Sequence, residues 1–505
     1  MDHLHQVILS LSKKEKQAFQ QFLLRHKSRR KRKDIELFKL LDQSEIPEAQ
    51  FIQKKLYPNQ NSHNSYHALR KRLMDQLTDF ILLNSRENDE STAAAIMGWQ
   101  SMARYLFGKD QNYLAWKMLL KAEGLGIQHE HHDLLQSVYQ LQIEKADKEG
   151  APDIREILEA HQLNKIRAEE DEKATIAASL IKFKLKAARQ HGKSLNFGET
   201  IFEVLESYQL TETLQQRPKL FSHLMTIARS AVLADKDFQS FEPFLFAQYK
   251  HFESSVGFKP SQIHYQMHLL YMIAHVLYRN KRFEQSIEYL DQMKTLGVAK
   301  IPAFQVKHIL LLAANQVFTN MLDDAIERLE HMLENKSISL LMEDRLNALF
   351  NLGIYYFLRK DYRKSIQCGH KLAHSDTWLT RKMGREWVLR KNLSEILLQY
   401  ELENYDLVEK RLLLIQKNYA TILGRDVYKH GNSYIRFLLQ ISRDPQMLKN
   451  EDFAQDIQKA IPKEVFEQED LQEVFFYVWL MAKVLGKSFY TVLMGWSRKV
   501  KEQVG

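Results

Sequence analysis

The chain has 505 residues and a mass of 59.7 kDa, beyond the roughly 250–300 residues at which a single core stops growing, so it holds several domains or an open-ended stack. Only 17 Gly and 9 Pro punctuate it, which predicts long helices with short connections. Its lone Cys allows no internal disulfide and fits a reducing compartment. The net charge of +9 is uneven: residues 1–85 carry 16 Lys and Arg against 9 Asp and Glu, and the remainder carries 56 against 54, so the excess basicity concerns partners rather than fold.

The first unit is predicted to span residues 1–86. A helix starts after Ser12, where Glu15 completes a capping box, and it carries Ala18, Phe19, Phe22 and Leu23 on one stripe. A second helix carries Ile35, Leu37, Phe38, Leu40 and Leu41. Pro47 suits the first turn of a third, which stops before Pro58. A longer helix from Ser62 or Ser65 lines up Tyr66, Leu69, Leu73, Leu77 and Phe80. The polar stretch from Ser85 to Thr92 marks a boundary.

From there to residue 445 the periodicity is three to four residues, as in Asp323–Lys336 and Glu409–Leu423, and nothing alternates with period two, so the class is all-α. Ala103 and Ala115 stand twelve apart around a turn at Gly108–Asp110. Between 126 and 235 the register is poor, with breaks near Gly150, Gly192 and Pro218. A loop from Ser254 to Gln262 then opens the clearest section. Two small residues recur twelve apart, with a bulky residue three before the second: Ala274/Phe283/Ser286, Ala313/Leu322/Ala325 and Gly353/Tyr362/Ser365. A bulkier copy is Ile396/Tyr405/Val408. Helices cross closely only where both carry little side chain, so these are helical hairpins stacked at a period near forty. Residues 446–505 read as closing helices that cap the last core face. No apolar run approaches a membrane span, and no basic-then-apolar leader opens the sequence; the expected compartment is cytoplasmic.

This interval, with its bulky residue and helix–turn–helix pattern, resembles the tetratricopeptide repeat over about 260–420, and more weakly over 92–125. The period exceeds that family's, the closing proline is missing, and Leu270, Ile309 and Leu349 stand where the family has tryptophan. The resemblance implies a right-handed α-solenoid behind a small basic N-terminal helical domain. It also implies that the first helix of each pair lines the concave face, which presents His268, Tyr271, His275, Lys307, Asn347, Phe350 and Arg390. Mixed basic and aromatic groups there suit an acidic or extended peptide, although Tyr271 and Phe350 also fit the core at helical spacing.

Other constellations are weaker. Gly486-Lys487-Ser488 looks like the end of a phosphate-binding loop, but Met481 stands where its earlier glycine belongs, and a glycine-capped helix end is the simpler account. His129, His131, His132 and Asp133 lie at a predicted loop-to-helix start after Gly126, and Cys368, His370 and His374 share no single face; neither set is expected to hold a metal. No cofactor fingerprint or nucleophile motif occurs, and the expectation is a protein without enzymatic activity or cofactor. The densest feature is basic: Arg25, Lys27, Arg29, Arg30, Lys31, Arg32 and Lys33, extended by Arg70, Lys71 and Arg72. Such a run can neutralise phosphates, dock a protein or simply be solvated. The expected function is an interaction scaffold or adaptor that binds another protein or peptide, the alternative being a nucleic-acid-binding regulator that uses the basic N-terminus.

Overall fold

A computed structural model describes residues 3–11, 13–25, 33–42, 49–58, 63–88, 92–190, 197–210, 213–214, 217–235, 238–255, 257–335, 337–372, 374–424, 430–461 and 471–504. Among these there are helices and turns but no strand, so the chain is all-α. It forms two compact units, Met1–Ile166 and Arg167–Gly505. Ser12, Pro47, Gly192 and the acidic stretch 467–470 lie outside the described residues.

The first unit contains α1 (His3–Ser10), α2 (Lys13–Arg25), α3 (Lys33–Leu41), α4 (Ala49–Leu56), α5 (His63–Asn88), α6 (Thr92–Phe107), α7 (Asn112–Gln128) and α8 (His132–Glu144), and ends within α9 (Ile154–Gln190). One core joins α1 to α5: Leu4, Ile8, Phe19, Leu23, Leu37, Phe38, Leu41, Leu69, Leu73 and Leu77 are all buried there. The Phe19 ring meets Phe38 edge-on at 5.2 Å and Phe80 at the same distance. The expected stripes of α2, α3 and α5 thus form one core, to which the unanticipated α1 adds two residues. A second core binds α6, α7 and α8 around Ala103, Ala115, Trp116 and Leu135.

The second unit continues with α10 (Phe197–Ser207), α11 (Pro218–Asp235), α12 (Phe238–Ser255), α13 (Ile263–Arg279), α14 (Phe283–Thr295), α15 (Pro302–Phe318), α16 (Leu322–Glu334), α17 (Met342–Leu358) and α18 (Tyr362–Lys371). Then follow α19 (Asp376–Met383), α20 (Arg385–Glu401), α21 (Tyr405–Asn418), α22 (Ala420–Leu423), α23 (Gly431–Arg443), α24 (Glu451–Ala460), α25 (Leu471–Val484) and α26 (Phe489–Val504). Pro218 does not end a helix but starts α11, where its missing N–H is no loss. The pairs α13–α14, α15–α16, α17–α18 and α20–α21 pack as hairpins; α14 also packs on α15 and α16 on α17, and the first helices α13, α15, α17 and α20 touch in succession.

Each bulky anchor of the sequence pattern is the first residue of a second helix: Phe283, Leu322, Tyr362 and Tyr405. Two residues before each lies a left-handed backbone, at Lys281 (φ 65°), Asn320 (φ 62°), Lys360 (φ 65°) and Glu403 (φ 61°). The next N–H returns to a carbonyl of the first helix, as Arg282 to Leu277, Met321 to Gln316, Asp361 to Tyr356 and Asn404 to Gln399. Asp110 and Glu130 repeat this turn before α7 and α8. It is a Schellman-type helix end with a charged or amide residue in place of glycine, which costs roughly 1–2 kcal/mol at each position.

At the crossings the small residues do more than make room. The Ser286 hydroxyl donates to the Ala274 carbonyl at 2.7 Å, and Ser365 donates to Gly353 at 2.8 Å. A Cβ on Gly353 would sit 3.3 Å from the Cβ of Cys368. Between neighbouring hairpins, Asn315 of α15 donates to the Ser286 hydroxyl at 3.0 Å.

The final helices return to earlier ones. Tyr490 of α26 donates to the Val317 carbonyl at 3.1 Å, and Ser497 donates to Phe318 at 3.2 Å. On α25, Trp479 and Lys483 both donate to Glu401 of α20, at 2.8 and 2.6 Å, while Tyr477 meets Tyr434 of α23 at 5.7 Å. Covered on two sides, α25 is apolar nearly all round, as a helix without a wet face must be. Gly486, with φ 60°, closes α25 in the same helix-ending turn. No described helix is long and apolar enough to cross a membrane.

Gly353→Leu is expected to lower the denaturation midpoint, with a cost of about 1–3 kcal/mol for overpacking. Gln367→Leu, on the exposed side of α18, is expected to leave it nearly unchanged. Equal midpoints would contradict the crossing.

Candidate functional site

The first helices place four of the seven expected partner-binding residues side by side. His268, Tyr271 and His275 follow one another along α13, and Lys307 reaches over from α15, its ammonium 5.9 Å from the Tyr271 ring and 5.4 Å from Phe304. The His268 ring lies 6.0 Å from Phe304 and its Nδ1 is 2.8 Å from the Ser222 hydroxyl. From α11 comes a residue the sequence did not single out: the Arg229 guanidinium stands 5.6 Å from the same Tyr271 ring. Nine positions before Phe238, the first residue of α12, Arg229 occupies the register place that Ala274, Ala313 and Gly353 fill elsewhere. A pattern of small residues therefore does not reveal it.

Among the described residues neither Arg229 nor Lys307 has an ion-pair partner within salt-bridge distance. The Nε of Arg229 and the Nδ1 of His275 are buried without a hydrogen-bond partner. Burial, followed by the charges of Arg229 and Lys307, pushes His268 down to about 4, and burial with Arg229 and Arg279 pushes His275 well below the ordinary imidazole value. Both imidazoles are neutral at physiological pH. Burial raises the Tyr271 phenol and also the Asp344 carboxyl, whose charge Lys307 favours.

Asn347, Phe350 and Arg390 have different neighbours. The Trp387 indole donates to Asn347 at 2.9 Å, and Phe350 packs against Trp387 with centroids 5.2 Å apart. Phe350 and Arg390 also line a cavity of about 110 Å³ whose far wall is Leu471, Phe475 and Phe476 of α25. This stretch of the first helices is thus covered by the chain's own α25.

In the first unit, Lys33 lies 3.5 Å over the Tyr57 ring, and Arg70 contacts the Tyr66 hydroxyl at 3.3 Å. Lys71 and Arg72 are exposed on α5. Arg25 ends α2, while Lys27, Arg29, Arg30, Lys31 and Arg32 lie outside the described residues.

The histidines of the two groups have separate neighbours. Gly126 is inside α7 rather than in a loop, and a Cβ there would come within 2.6 Å of the Leu135 side chain. His131 sits 2.7 Å from the Thr92 hydroxyl and His132 is 3.0 Å from Asn164, so they serve different neighbours. Cys368 is buried, and burial raises its thiol to about 11; His374 stacks on Trp378 at 4.1 Å. Neither a family model nor a curated protein matches the chain.

A folded-state imidazole held at about 4 binds fewer protons than the same group in the unfolded chain, at 6.5. Stability from His268 is therefore intact above pH 6.5 and is lost as pH falls toward 4. Denaturation midpoints stepped through this window should fall less steeply for His268→Gln than for the wild-type chain.

Proposed function

We propose that this protein is a non-enzymatic, cytoplasmic interaction scaffold: a right-handed solenoid of tetratricopeptide-like hairpins whose first-helix, concave face holds a segment of another protein. One observation carries the proposal. Tyr271 is flanked by two cations, Arg229 and Lys307, that no described carboxylate pairs within salt-bridge distance, on a row of helices whose other faces are occupied by packing. Cations held without an ion pair, beside an aromatic surface, suit an external acidic partner. The lone buried cysteine and the lack of cysteine pairs accord with a reducing compartment.

A photo-crosslinking residue in place of Lys307 is expected to form protein adducts in cells, and the same residue in place of Gln285, exposed on α14, is not. Absence of adducts at Lys307, or equal adducts at both positions, would remove the first-helix face as the working surface.

A second reading is favoured by the charge distribution, with 16 Lys and Arg against 9 Asp and Glu in residues 1–85. The basic N-terminus would there hold nucleic acid while the repeats recruit protein. If so, changing Arg29, Arg30, Arg32 and Lys33 to Gln weakens RNA or DNA binding uniformly across sequences. The slope of log affinity against log salt flattens by roughly 0.7–0.9 for each phosphate no longer neutralised. A wild-type chain that binds neither nucleic acid at low salt excludes this second reading.

A further inference from the structure

The cluster around Tyr271 has a composition specific enough to name what it takes. Groups converge on it from four elements: Arg229 from α11, His268, Tyr271 and His275 from α13, Lys307 from α15 and Asp344 from α17. Arg279, the remaining cation near His275, is turned over the Phe238 ring at 4.3 Å.

Three features point to a ligand. Lys307 is exposed, yet two rings, Tyr271 and Phe304, hold its ammonium from below, so the donor is oriented before anything binds. Arg229 is half-buried beside the same Tyr271 ring, with its Nε unsatisfied. The buried Nδ1 of His275 is unsatisfied as well, and such a group is costly unless something completes it. The charge balance then selects the ligand. Two cations and the one carboxylate of Asp344 leave a single positive charge, because burial, reinforced by the neighbouring cations, keeps both imidazoles neutral. A carboxylate matches that charge. A phosphoryl group, at about −1.5 to −2, would overshoot it. The planar Arg229 guanidinium suits a two-oxygen group, and the aromatic walls suit an aliphatic stem behind it.

We infer that Arg229 and Lys307 together bind one carboxylate, borne on an acidic segment of a partner protein and seated over Tyr271. This rests on the scaffold reading and narrows it to a ligand class.

The test uses the full chain and fluorescence anisotropy with a labelled oligoglutamate peptide, amide-capped or with a free C-terminus, beside oligoglutamine and a phosphoserine peptide. Oligoglutamate is expected to bind and oligoglutamine is not. Equal binding of the capped and free forms assigns the carboxylate to side chains, and binding of the free form alone assigns it to the chain terminus; both support the site. Arg229→Gln with Lys307→Gln should weaken binding roughly tenfold or more, while Lys410→Gln with Lys417→Gln, exposed on α21, should not. Circular dichroism checks that the double variant remains helical, and Lys307→Gln alone, at an exposed position, keeps the test valid if it does not. Undiminished binding by these variants, equal binding of oligoglutamine, or tighter binding of the phosphoserine peptide would overturn the inference. Protein adducts at position 307 without oligoglutamate binding would leave the scaffold standing and remove only the carboxylate. Oligoglutamate binding that depends on Arg229 and Lys307, without such adducts, would do the reverse.

Discussion

The second unit depends on one kind of contact, the close crossing of two helices at a pair of small residues. Where Ser286 meets Ala274 and Ser365 meets Gly353, a hydroxyl bonds a carbonyl of the facing helix, so the approach is fixed by a directed interaction as well as by lack of bulk. That spacing sets the length of the intervening turn, and the turn sets which face of each first helix looks away from its partner. The row bearing His268, Tyr271 and Lys307 is presented because the opposite side of those helices is committed to the crossings. Asn315 then ties one hairpin to the previous one through the same Ser286 hydroxyl, which makes the relation between hairpins as determinate as that within them.

The hairpins were legible in sequence because their signal is made of absent side chains at a fixed interval, and little else in an amphipathic helix produces it. Phe283, Leu322, Tyr362 and Tyr405 proved to be helix starts for the same reason: a large side chain just past the turn closes the end of the crossing. The turns themselves were not legible. Lys281, Lys360 and Glu403 adopt a backbone that glycine prefers and their identity gives no hint of it; of the four, only Asn320 is of a type that enters it readily. In the α7–α8 pair the second small place is taken by Leu135, and the space comes instead from Gly126 on the facing helix, so the interval disappears there although the packing survives.

The candidate site was half legible. Charge and aromaticity on the first helices could be placed by counting from the small residues, which located Lys307 beside Tyr271. Arg229 could not, since it stands at a crossing place and breaks the very rule used for counting. Nor could the covering of Phe350 and Arg390 by α25, a contact across 81 to 126 residues of sequence that local periodicity does not encode. The first-helix row is therefore uneven, with an open basic and aromatic stretch at α11, α13 and α15 and an internally filled one at α17 and α20.

That filling also orders events in time. During synthesis from the N-terminus, α15 and α17 emerge well before α25 and α26, yet the bonds to Val317 and Phe318 and the contact of Phe357 with Phe489 wait for the last helices. Until then the nascent repeats carry an uncovered strip of aromatic and aliphatic side chains. Contacts so distant in sequence form late and slowly, and an apolar surface left waiting is where association with the wrong neighbour begins. The newly made chain is thus most exposed to aggregation when its repeats are already folded and its final helices are not yet in place.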